Sequence, residues 1–441
     1  MSTYGALFTL LVCVLQLALP RRWAILPLLL TFSLMTRGQV LDVFGANFTV
    51  LRIVVGVGVL RVLLRSEGPT HGNNAIDAWM VVWAFWLLFT ATFHVDGEFV
   101  RRAGLVWDYL GVYFLSRIFL TTTDDVIRGF SMVCLLLIPA AISMVIEKTS
   151  GHNSFAVLGG VPELAAVRAE GQIRASGPYA HAVLAGTVGA TLLALAWCVR
   201  NASPVAALSG AVCGLAMVLT ASSSGPLLMV VFTLCAALLW AFRQHLSGIR
   251  WLVLTGIAGL ALVMKDPVYF LMARVDITGG STGWYRAQLI RSSIEHIDEW
   301  WLVGTDYTRH WMYSGNPANP NSADITNQYL ANGVMGGLPL MAIFIMVLLS
   351  AFRRVGRAVD AASRLSAADQ YVVWIIGACL FGHAMNFVSV TFWDHSIASF
   401  LLLLGAIGAI QSEAEAQSSL PTPPLFHSFL GSTAAGGSVQ R

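Results

Sequence analysis

The sequence predicts an all-α protein, a polytopic transmembrane bundle of about 12 to 14 helices with a large, partly helical loop before the last three spans. Of its 441 residues, 56% are hydrophobic and only 11% are charged, whereas soluble domains have about 25% charged residues. The mean hydropathy is +0.71. Because so few charges would not cover a water-facing surface of this size, we expect lipid to be the main solvent.

Apolar segments long enough to cross a bilayer recur along the whole chain. A hydrocarbon core about 30 Å thick needs about 20 apolar residues per helix. Thirteen segments approach this length: 3–19, 22–37, 46–64, 76–94, 104–121, 127–147, 178–199, 203–220, 224–242, 249–265, 327–352, 371–391 and 395–411. The first lacks a basic leading region and a small-residue cleavage site, so we expect a retained span and not a signal peptide.

Basic residues orient the predicted bundle. If the long loop 266–326 lies outside the cytoplasm, thirteen arginines fall in cytoplasmic loops and seven basic residues fall in the short outer loops and adjoining span ends. The long loop is left out of the count because long loops translocate largely regardless of charge. The excess predicts an outer N-terminus and a cytoplasmic C-terminus.

The spans divide the chain into six regions: an N-terminal bundle (1–147), a first outer loop (148–177), central helices (178–265), the large outer loop (266–326), C-terminal helices (327–411) and a tail (412–441). The tail is rich in Ser, Pro, Gly and Ala, which predicts disorder. Residues 284–301 predict an amphipathic helix on the membrane or on the span ends, because apolar residues recur there at helical spacing: Ile290, Ile294, Ile297 and Trp301.

The first candidate site is the segment from Arg174 to His181. Gly177 interrupts the preceding chain, and Pro178 suits the first position of the helix that follows. The helix N-terminus would then present free backbone N–H groups beside Arg174 and His181, a combination that binds anions. The alternative is an interfacial arginine that contacts lipid headgroups and a histidine that is hydrogen-bonded within the bundle.

The second candidate lies in the predicted amphipathic helix. Arg286 and Arg291 are five residues apart, about 140° around a helix, so both cannot occupy one face. We expect Arg286 to contact a ligand and Arg291 or His296 to lie on a solvated face, although a ligand contact by Arg291 stays open.

The third candidate runs from Asp324 to Pro339. Asp324 or Thr326 can cap a short helix, and the glycines with Pro339 can then redirect the chain into the next span. Capping and bending explain much of the pattern, and a role of Asn327 or Asp324 in chemistry is the alternative.

Several weaker candidates are polar groups in or near spans. The turn Thr220–Gly225 predicts close helix packing, and Asp108 could pair with the preceding Arg101 and Arg102. His383 lies within a span, where ionisable residues are functional hypotheses by default. Asp394 and His395 lie at the last hairpin. For these histidines, a hydrogen bond to a neighbouring helix is the structural alternative.

Four of these segments, in this order, resemble the O-antigen ligase and polymerase family: RASGPYAHAVLAGT (174–187), TASSSG (220–225), STGWYRAQL (281–289) followed by VGTD (303–306), and TNQYLANGVMGGL (326–338). No single motif is specific, but their order and spacing are. The resemblance implies a membrane glycosyltransferase of the bacterial inner membrane. It would transfer a glycan from a polyprenyl diphosphate to a sugar hydroxyl of a lipid or a growing glycan at the outer face.

The resemblance also implies roles for individual residues. Arg174, Arg286 and Arg291 would bind the diphosphate, while Asp324, His181 and Asn327 would take part in catalysis. Contacts to the acceptor and the loop would come from Tyr179, Asp306 and Tyr329. Many family members have a histidine directly before the asparagine of the last motif, and this chain has Thr326 there.

No metal or other cofactor is expected for this reaction. A diphosphate leaving group needs cations more than a proton, and Asp42 stands alone where metal-dependent transferases of lipid-linked sugars have a carboxylate pair. All six cysteines lie in apolar segments without a CxxC or CxxH pattern, which predicts neither disulfides nor a metal cage. The expected partners are the lipid-linked glycan, the acceptor and membrane lipids, and not nucleic acid.

Two other classes of protein remain open. A transporter or flippase usually has two related halves with broken helices at matching positions, whereas this chain has unlike halves and one dominant loop. A non-catalytic membrane component of a polysaccharide assembly system is favoured by Thr326.

Overall fold

The computed structural model describes residues 1–43, 46–69, 72–168, 171–274, 283–313, 315–316, 319–361 and 367–419. These residues are mostly helical. The helices are α1 (Thr3–Ala18), α2 (Leu26–Leu34), α3 (Val50–Arg65), α4 (Ala75–Ala91), α5 (Glu98–Phe119), α6 (Thr123–Leu136), α7 (Ile138–Ser150), α8 (Ala182–Val199), α9 (Pro204–Ala221), α10 (Ser224–Leu238), α11 (Leu246–Val263), α12 (Leu271–Arg274), α13 (Gly283–Glu295), α14 (Gln328–Ala361), α15 (Ala367–Asn386) and α16 (Ile397–Ser419).

Three short antiparallel hairpins interrupt the helices: β1 (Val40–Val43) with β2 (Ala46–Thr49), β3 (Ala166–Val167) with β4 (Ile173–Arg174), and β5 (Gly315–Asn316) with β6 (Asn319–Ala323). The second hairpin places Arg174 opposite Ala166. The third leads directly into the segment that contains Asp324.

Five helical stretches are long and apolar enough to cross a membrane: Thr123–Ser150, Ala182–Val199, Pro204–Ala221, Ser224–Val263 and Gln328–Asp360. Shorter apolar helices cover Thr3–Ala18, Ala75–Ala91 and Ile397–Ile410. The predicted helical class is therefore confirmed, and each of the thirteen predicted segments contains a helix. The number of spans and the side that each loop faces stay predictions.

Three predicted spans differ from the helices found. In 22–37, a 3-10 turn precedes α2, which has nine residues and is about 13.5 Å long, too short to cross the bilayer core alone. The segment 46–64 begins as strand β2, and α3 starts only after Thr49, whose hydroxyl accepts a hydrogen bond from Arg52 N–H. The segment 127–147 is divided into α6 and α7 at Leu137, just before Pro139.

The predicted helix 284–301 ends earlier, at Glu295. The ring of His296 and the indole of Trp300 bond the carbonyls of Ser292 and Ser293, at 2.8 Å each, which provides partners for the helix end. Ile290 packs against a buried cluster that includes Trp300 and Leu330 of α14, whereas Ile294 is 53% exposed. The predicted location of this helix on the membrane or on the span ends stays a prediction.

Helix α8 lies at the centre of the bundle. It packs against α6, α9, α10 and α15, and most of its residues are buried. Glycines permit the close approach to α9, since a Cβ on Gly189 would lie 2.7 Å from Met217 and 2.9 Å from the Gly214 carbonyl oxygen. The N-terminus of α8 is thereby fixed at the end of the bundle that carries Arg174.

The predicted bend in the third candidate segment is confirmed. Helix α14 is kinked at Gly336 and Gly337, and the φ of Gly337 is +74°. A Cβ at Gly337 would lie 2.2 Å from the carbonyl oxygen of Leu302, and Leu338 N–H donates to Trp301 O at 2.8 Å. The kink thus provides the place where the chain that follows α13 packs on the bundle.

The predicted disordered tail is partly wrong. Helix α16 continues to Ser419, past the predicted tail start at 412. The sequence Glu413–Gln417 consists of Glu, Ala and Gln, which are strong helix formers, so the helix extends beyond the apolar segment. Residues 420–441 lie outside the described residues.

Candidate functional site

The segment from Arg174 to His181 is a turn and not the start of a helix. Helix α8 begins at Ala182, so the prediction that Pro178 occupies the first helical position is wrong. The backbone N–H groups of Ser176 and Gly177 donate to the carboxylate of Glu147 at 2.9 to 3.1 Å. The φ of Gly177 is +55°. These bonds hold an irregular backbone where a helix would otherwise begin.

Two further side chains fix the same turn. Asn153 Nδ2 donates to the carbonyl oxygen of Gly177 at 2.8 Å, and Asp394 Oδ2 accepts from Ala180 N–H at 2.9 Å. Glu147 is fully buried and Asn153 nearly so. The sequence analysis did not single out Glu147 or Asn153. A carboxylate at the end of the apolar segment 127–147 was the available signal for Glu147, because charges in such segments have specific partners.

His181 is the N-cap of α8. Its Nδ1 accepts a hydrogen bond from Val183 N–H at 3.2 Å, so Nδ1 is unprotonated and the neutral ring carries its proton on Nε2. Burial and then the charge of Arg174 lower the pKa of His181 to about 4, against an opposing effect of Asp394. His181 still has an exposed surface, although protein atoms surround much of its ring. His181 is therefore a neutral N–H donor at pH 7.

Among the described residues, the guanidinium of Arg174 donates one hydrogen bond, from Nη2 to the hydroxyl oxygen of Ser223 at 2.6 Å. Its Nε is buried without a hydrogen-bond partner, and within the described part of the chain its guanidinium forms no ion pair with a carboxylate. Burial, followed by the charges of Arg168 and Arg286, lowers the pKa of Arg174 to about 10. The group remains a cation at neutral pH, with donor capacity unused.

Arg286 lies in the first turn of α13 and has a similar environment. Its Nε is buried and unbonded, and no carboxylate in the described ranges forms an ion pair with it. Burial and the charge of Arg168 lower the pKa of Arg286, while Asp324 opposes the shift. A desolvated guanidinium without a carboxylate partner is costly, so this arrangement suits an anion supplied by a ligand.

Asp324 lies beside this arginine. The hydroxyl of Tyr285, the neighbour of Arg286, donates to the carbonyl oxygen of Asp324 at 3.1 Å, which ties α13 to the chain before α14. The Asp324 side chain is exposed. Burial by surrounding protein raises the pKa of Asp324, and Arg286 opposes the shift. The carboxylate is thus a better proton acceptor than an ordinary aspartate.

Two segments that are distant in sequence therefore form one cluster: Arg174 and His181, which lie before α8, and Arg286 in α13. The charge of Arg286 contributes to the lowered pKa of both Arg174 and His181, which requires that the groups lie within electrostatic range. We call Arg174, His181, Arg286 and Asp324 the cationic cluster. It brings together four of the nine residues to which the sequence assigned a site role.

Three of the other candidates lie in structural positions. Asn327 Oδ1 accepts from Leu330 N–H at 3.0 Å, so Asn327 caps α14, and the predicted caps Asp324 and Thr326 are wrong. Tyr329 donates to the carbonyl oxygen of Ala384 at 2.8 Å and packs on Phe344. Tyr179 is fully buried, beneath the turn that it belongs to.

Arg291 and Asp306 also have partners within the chain. Arg291 Nε lies 3.4 Å from Glu295, and about half of each side chain is exposed. Asp306 accepts from Val95 N–H at 3.1 Å and pairs with His94 at 2.6 Å, joining the chain after α13 to the end of α4. Neither side chain belongs to the cationic cluster.

The weaker candidates have partners within the fold. Asp108 pairs with Arg52 at 3.1 Å, and not with the arginines that precede it. His383 is fully buried and its Nε2 lies 3.0 Å from the hydroxyl of Thr191. The predicted close packing at Thr220–Gly225 is consistent with Gly225, where a Cβ would lie 3.1 Å from Val390.

A cavity of about 800 Å³ lies elsewhere, among Leu239, Arg243, Arg250, Phe352 and Trp374. Ser223, the partner of Arg174, directly precedes α10, whereas Leu239 and Arg243 follow its other end. This cavity is thus separated from the cationic cluster by the length of α10, about 22 Å for 15 residues.

No protein-family model and no curated protein matches this chain. The chemistry of the cationic cluster is therefore inferred from its own geometry.

Proposed function

We propose that the chain is a multi-pass membrane glycosyltransferase of the O-antigen ligase and polymerase type, in the inner membrane of a bacterium. It transfers a glycan from a polyprenyl diphosphate donor to an acceptor sugar hydroxyl at the outer face. The observation that carries the proposal is the pair Arg174 and Arg286, two half-buried cations whose charges act on each other and neither of which forms an ion pair among the described residues.

In this proposal the cations bind the diphosphate. As the glycosyl–oxygen bond breaks, negative charge grows on the leaving diphosphate, and guanidinium groups stabilise it by charge-assisted hydrogen bonds. Arg174 and Arg286 both retain a buried, unbonded Nε–H. His181 adds a neutral Nε2–H donor, since its Nδ1 already accepts from Val183. No metal ion is needed for this charge compensation.

The acceptor hydroxyl also needs a group that takes its proton. We assign this role to Asp324, because its carboxylate is exposed and its pKa is raised. His181 is unsuited, because its Nδ1 is occupied and its pKa is about 4. Thr326, which stands where many relatives of this type have histidine, has a buried hydroxyl and does not replace that function.

The test is the transfer activity of Arg174→Ala and Arg286→Ala. The full chain, reconstituted in lipid with a polyprenyl-diphosphate glycan and an acceptor, should lose about 100- to 1,000-fold in transfer rate with either change. Arg291→Ala is the matched control, since Arg291 lies on the same helix but pairs with Glu295 at the surface. It should retain normal transfer and confirm that α13 tolerates the loss of an arginine.

The same variants separate the other two classes. A flippase would fail in donor translocation while transfer by an added enzyme continued, and a non-catalytic component would be indifferent to both changes. Normal transfer by a folded double variant, Arg174→Ala with Arg286→Ala, would refute the proposed role of the cationic cluster.

A further inference from the structure

Three side chains meet after the end of α13, away from the cationic cluster. They are His296, Glu299 in the 3-10 turn 297–299, and His310 in the 3-10 turn 309–311. One ligand atom from each lies within 4.8 Å of the others. Two imidazoles and a carboxylate form a donor set that divalent zinc prefers. Eleven residues separate Glu299 from His310, so their meeting depends on the folded loop.

The surrounding contacts orient these groups as metal ligands are oriented in known sites. His296 Nδ1 lies 2.8 Å from the carbonyl oxygen of Ser292. A carbonyl only accepts, so Nδ1 carries the proton and the lone pair of Nε2 is free to bind a cation. The indole N–H of Trp311 donates to Glu299 Oε2 at 3.0 Å, which fixes the carboxylate and leaves Oε1 on the side of His310.

A small rearrangement of these side chains would fit an ion. His310 Nε2 lies 2.9 Å from Glu299 Oε1, whereas ligand atoms on tetrahedral zinc stand about 3.3 Å apart when each bond is about 2.0 Å. An ion would thus replace one hydrogen bond and draw His296 closer. The His310 and Glu299 side chains are 36% and 32% exposed, so an ion can enter from solvent.

We propose that His296, Glu299 and His310 bind one Zn²⁺ ion, with a water molecule in the remaining position, and that this ion clips the end of α13 to the turn 309–311. The role is structural, because His296 lies ten residues from Arg286, about 15 Å along a helix, too far for the ion to contact a diphosphate there. Zinc binding at this site does not depend on the proposed transferase reaction.

The clip would hold the loop that leads to Asp324. Thr308, just before the turn 309–311, accepts at its hydroxyl from Ala323 N–H and donates its own N–H to the Asn321 carbonyl, both at 3.0 Å. Ala323 directly precedes Asp324. Zinc binding at His310 therefore stabilises the strand β6 that positions this carboxylate.

The experiment measures zinc bound to the tag-free, full-length protein in detergent after treatment with a chelator and passage over a desalting column. We expect one Zn²⁺ per chain by elemental analysis, a raised Tm with Zn²⁺ but not with Mg²⁺, and visible bands of four-coordinate Co²⁺ after substitution. His310→Ala and the isosteric Glu299→Gln should each weaken zinc binding about 10- to 100-fold.

His152→Ala is the matched control, since this exposed histidine lies in another loop and should leave the stoichiometry at one. Equal zinc content in the wild type and in Glu299→Gln, or loss of zinc in His152→Ala, would overturn the site. If His310→Ala does not fold, Glu299→Gln decides, because it keeps the size of the side chain. Loss of transfer with intact zinc binding would concern only the transferase proposal.

Discussion

Buried arginines in the N-terminal helices differ from the half-buried arginines of the cationic cluster in their partners. Three guanidiniums of α3 and α5 are at most 2% exposed, and each has a carboxylate within reach, at 2.8, 3.2 and 3.6 Å: Arg61–Glu67, Arg102–Glu98 and Arg117–Asp77. Arg174 and Arg286 are half-buried, and in the described ranges neither forms an ion pair with a carboxylate, although the charge of Asp324 acts on Arg286.

The difference separates a structural cation from a binding cation. A buried arginine with its carboxylate is neutralised within the chain and fixes two helices or a turn. Removal of a single partner from such a pair is costly because it leaves an uncompensated charge. A desolvated arginine without a carboxylate already bears that cost in the unliganded protein, and an anionic ligand relieves it. The comparison makes three predictions, in decreasing order of effect, and the stability of Asp324 variants adds a fourth.

The largest effect is expected where a structural pair is broken. Glu67→Gln leaves Arg61, which is fully buried, without its carboxylate and should lower the free energy of unfolding by about 3 to 5 kcal/mol. Thermal or denaturant unfolding of the purified protein measures this loss. Glu163→Gln, at an exposed position, is the control and should unfold like the wild type. Equal stability of both variants would remove the distinction drawn for Arg61.

An intermediate effect is expected where a binding cation is converted into a structural one. Ser223→Asp places a carboxylate where Arg174 now bonds a hydroxyl. A hydrogen bond between charged groups contributes about 1.5 to 3 kcal/mol, so competition with the diphosphate should reduce transfer about 10- to 100-fold while Tm stays equal or rises. Ser223→Ala, which adds no charge, should keep most of the activity. Unchanged transfer in Ser223→Asp would show that Arg174 does not bind the donor.

The smallest effect is a shift of the pH profile. The proposed transfer requires ionised Asp324, and burial raises the pKa of Asp324 above the usual 3.8. Activity should therefore fall with decreasing pH at a higher pH than for an ordinary aspartate. Arg286 opposes this rise, so Arg286→Gln should move the acid limb of its residual activity further upward, whereas Arg286→Lys should leave it in place. A limb that is the same in Arg286→Gln and in the wild type would exclude Asp324 as the titrating group.

The stability of Asp324 variants independently checks whether the pKa of Asp324 is raised in the folded protein. A carboxyl with a raised pKa in the folded state binds protons more tightly there, so its contribution to stability is present below the unfolded pKa and is lost as pH rises through the folded value. Asp324→Asn should therefore be at least as stable as the wild type at pH 7 although its transfer is lost. A strongly destabilised Asp324→Asn would indicate a structural carboxylate like Glu67.

The sequence by itself determined the helical class, the location of apolar helices and the bend of α14. These features are local, because hydrophobic length and glycine or proline conformation act within a few residues. Gly336, Gly337 and Pro339 bend the helix as predicted. The segments that contain Arg174 and Arg286 were also identified from residue type alone, without knowledge of their surroundings.

Only the tertiary structure decided which polar groups already have hydrogen-bond or ion-pair partners within the chain. Pro178 did not start α8 because Glu147, from a different helix, bonds the backbone of Ser176 and Gly177. The neutral ring of His181 carries its proton on Nε2 because its Nδ1 accepts from Val183 N–H. Whether a buried cation is free for a ligand depends on carboxylates that are distant in sequence, and Coulomb interactions follow spatial distance rather than order along the chain.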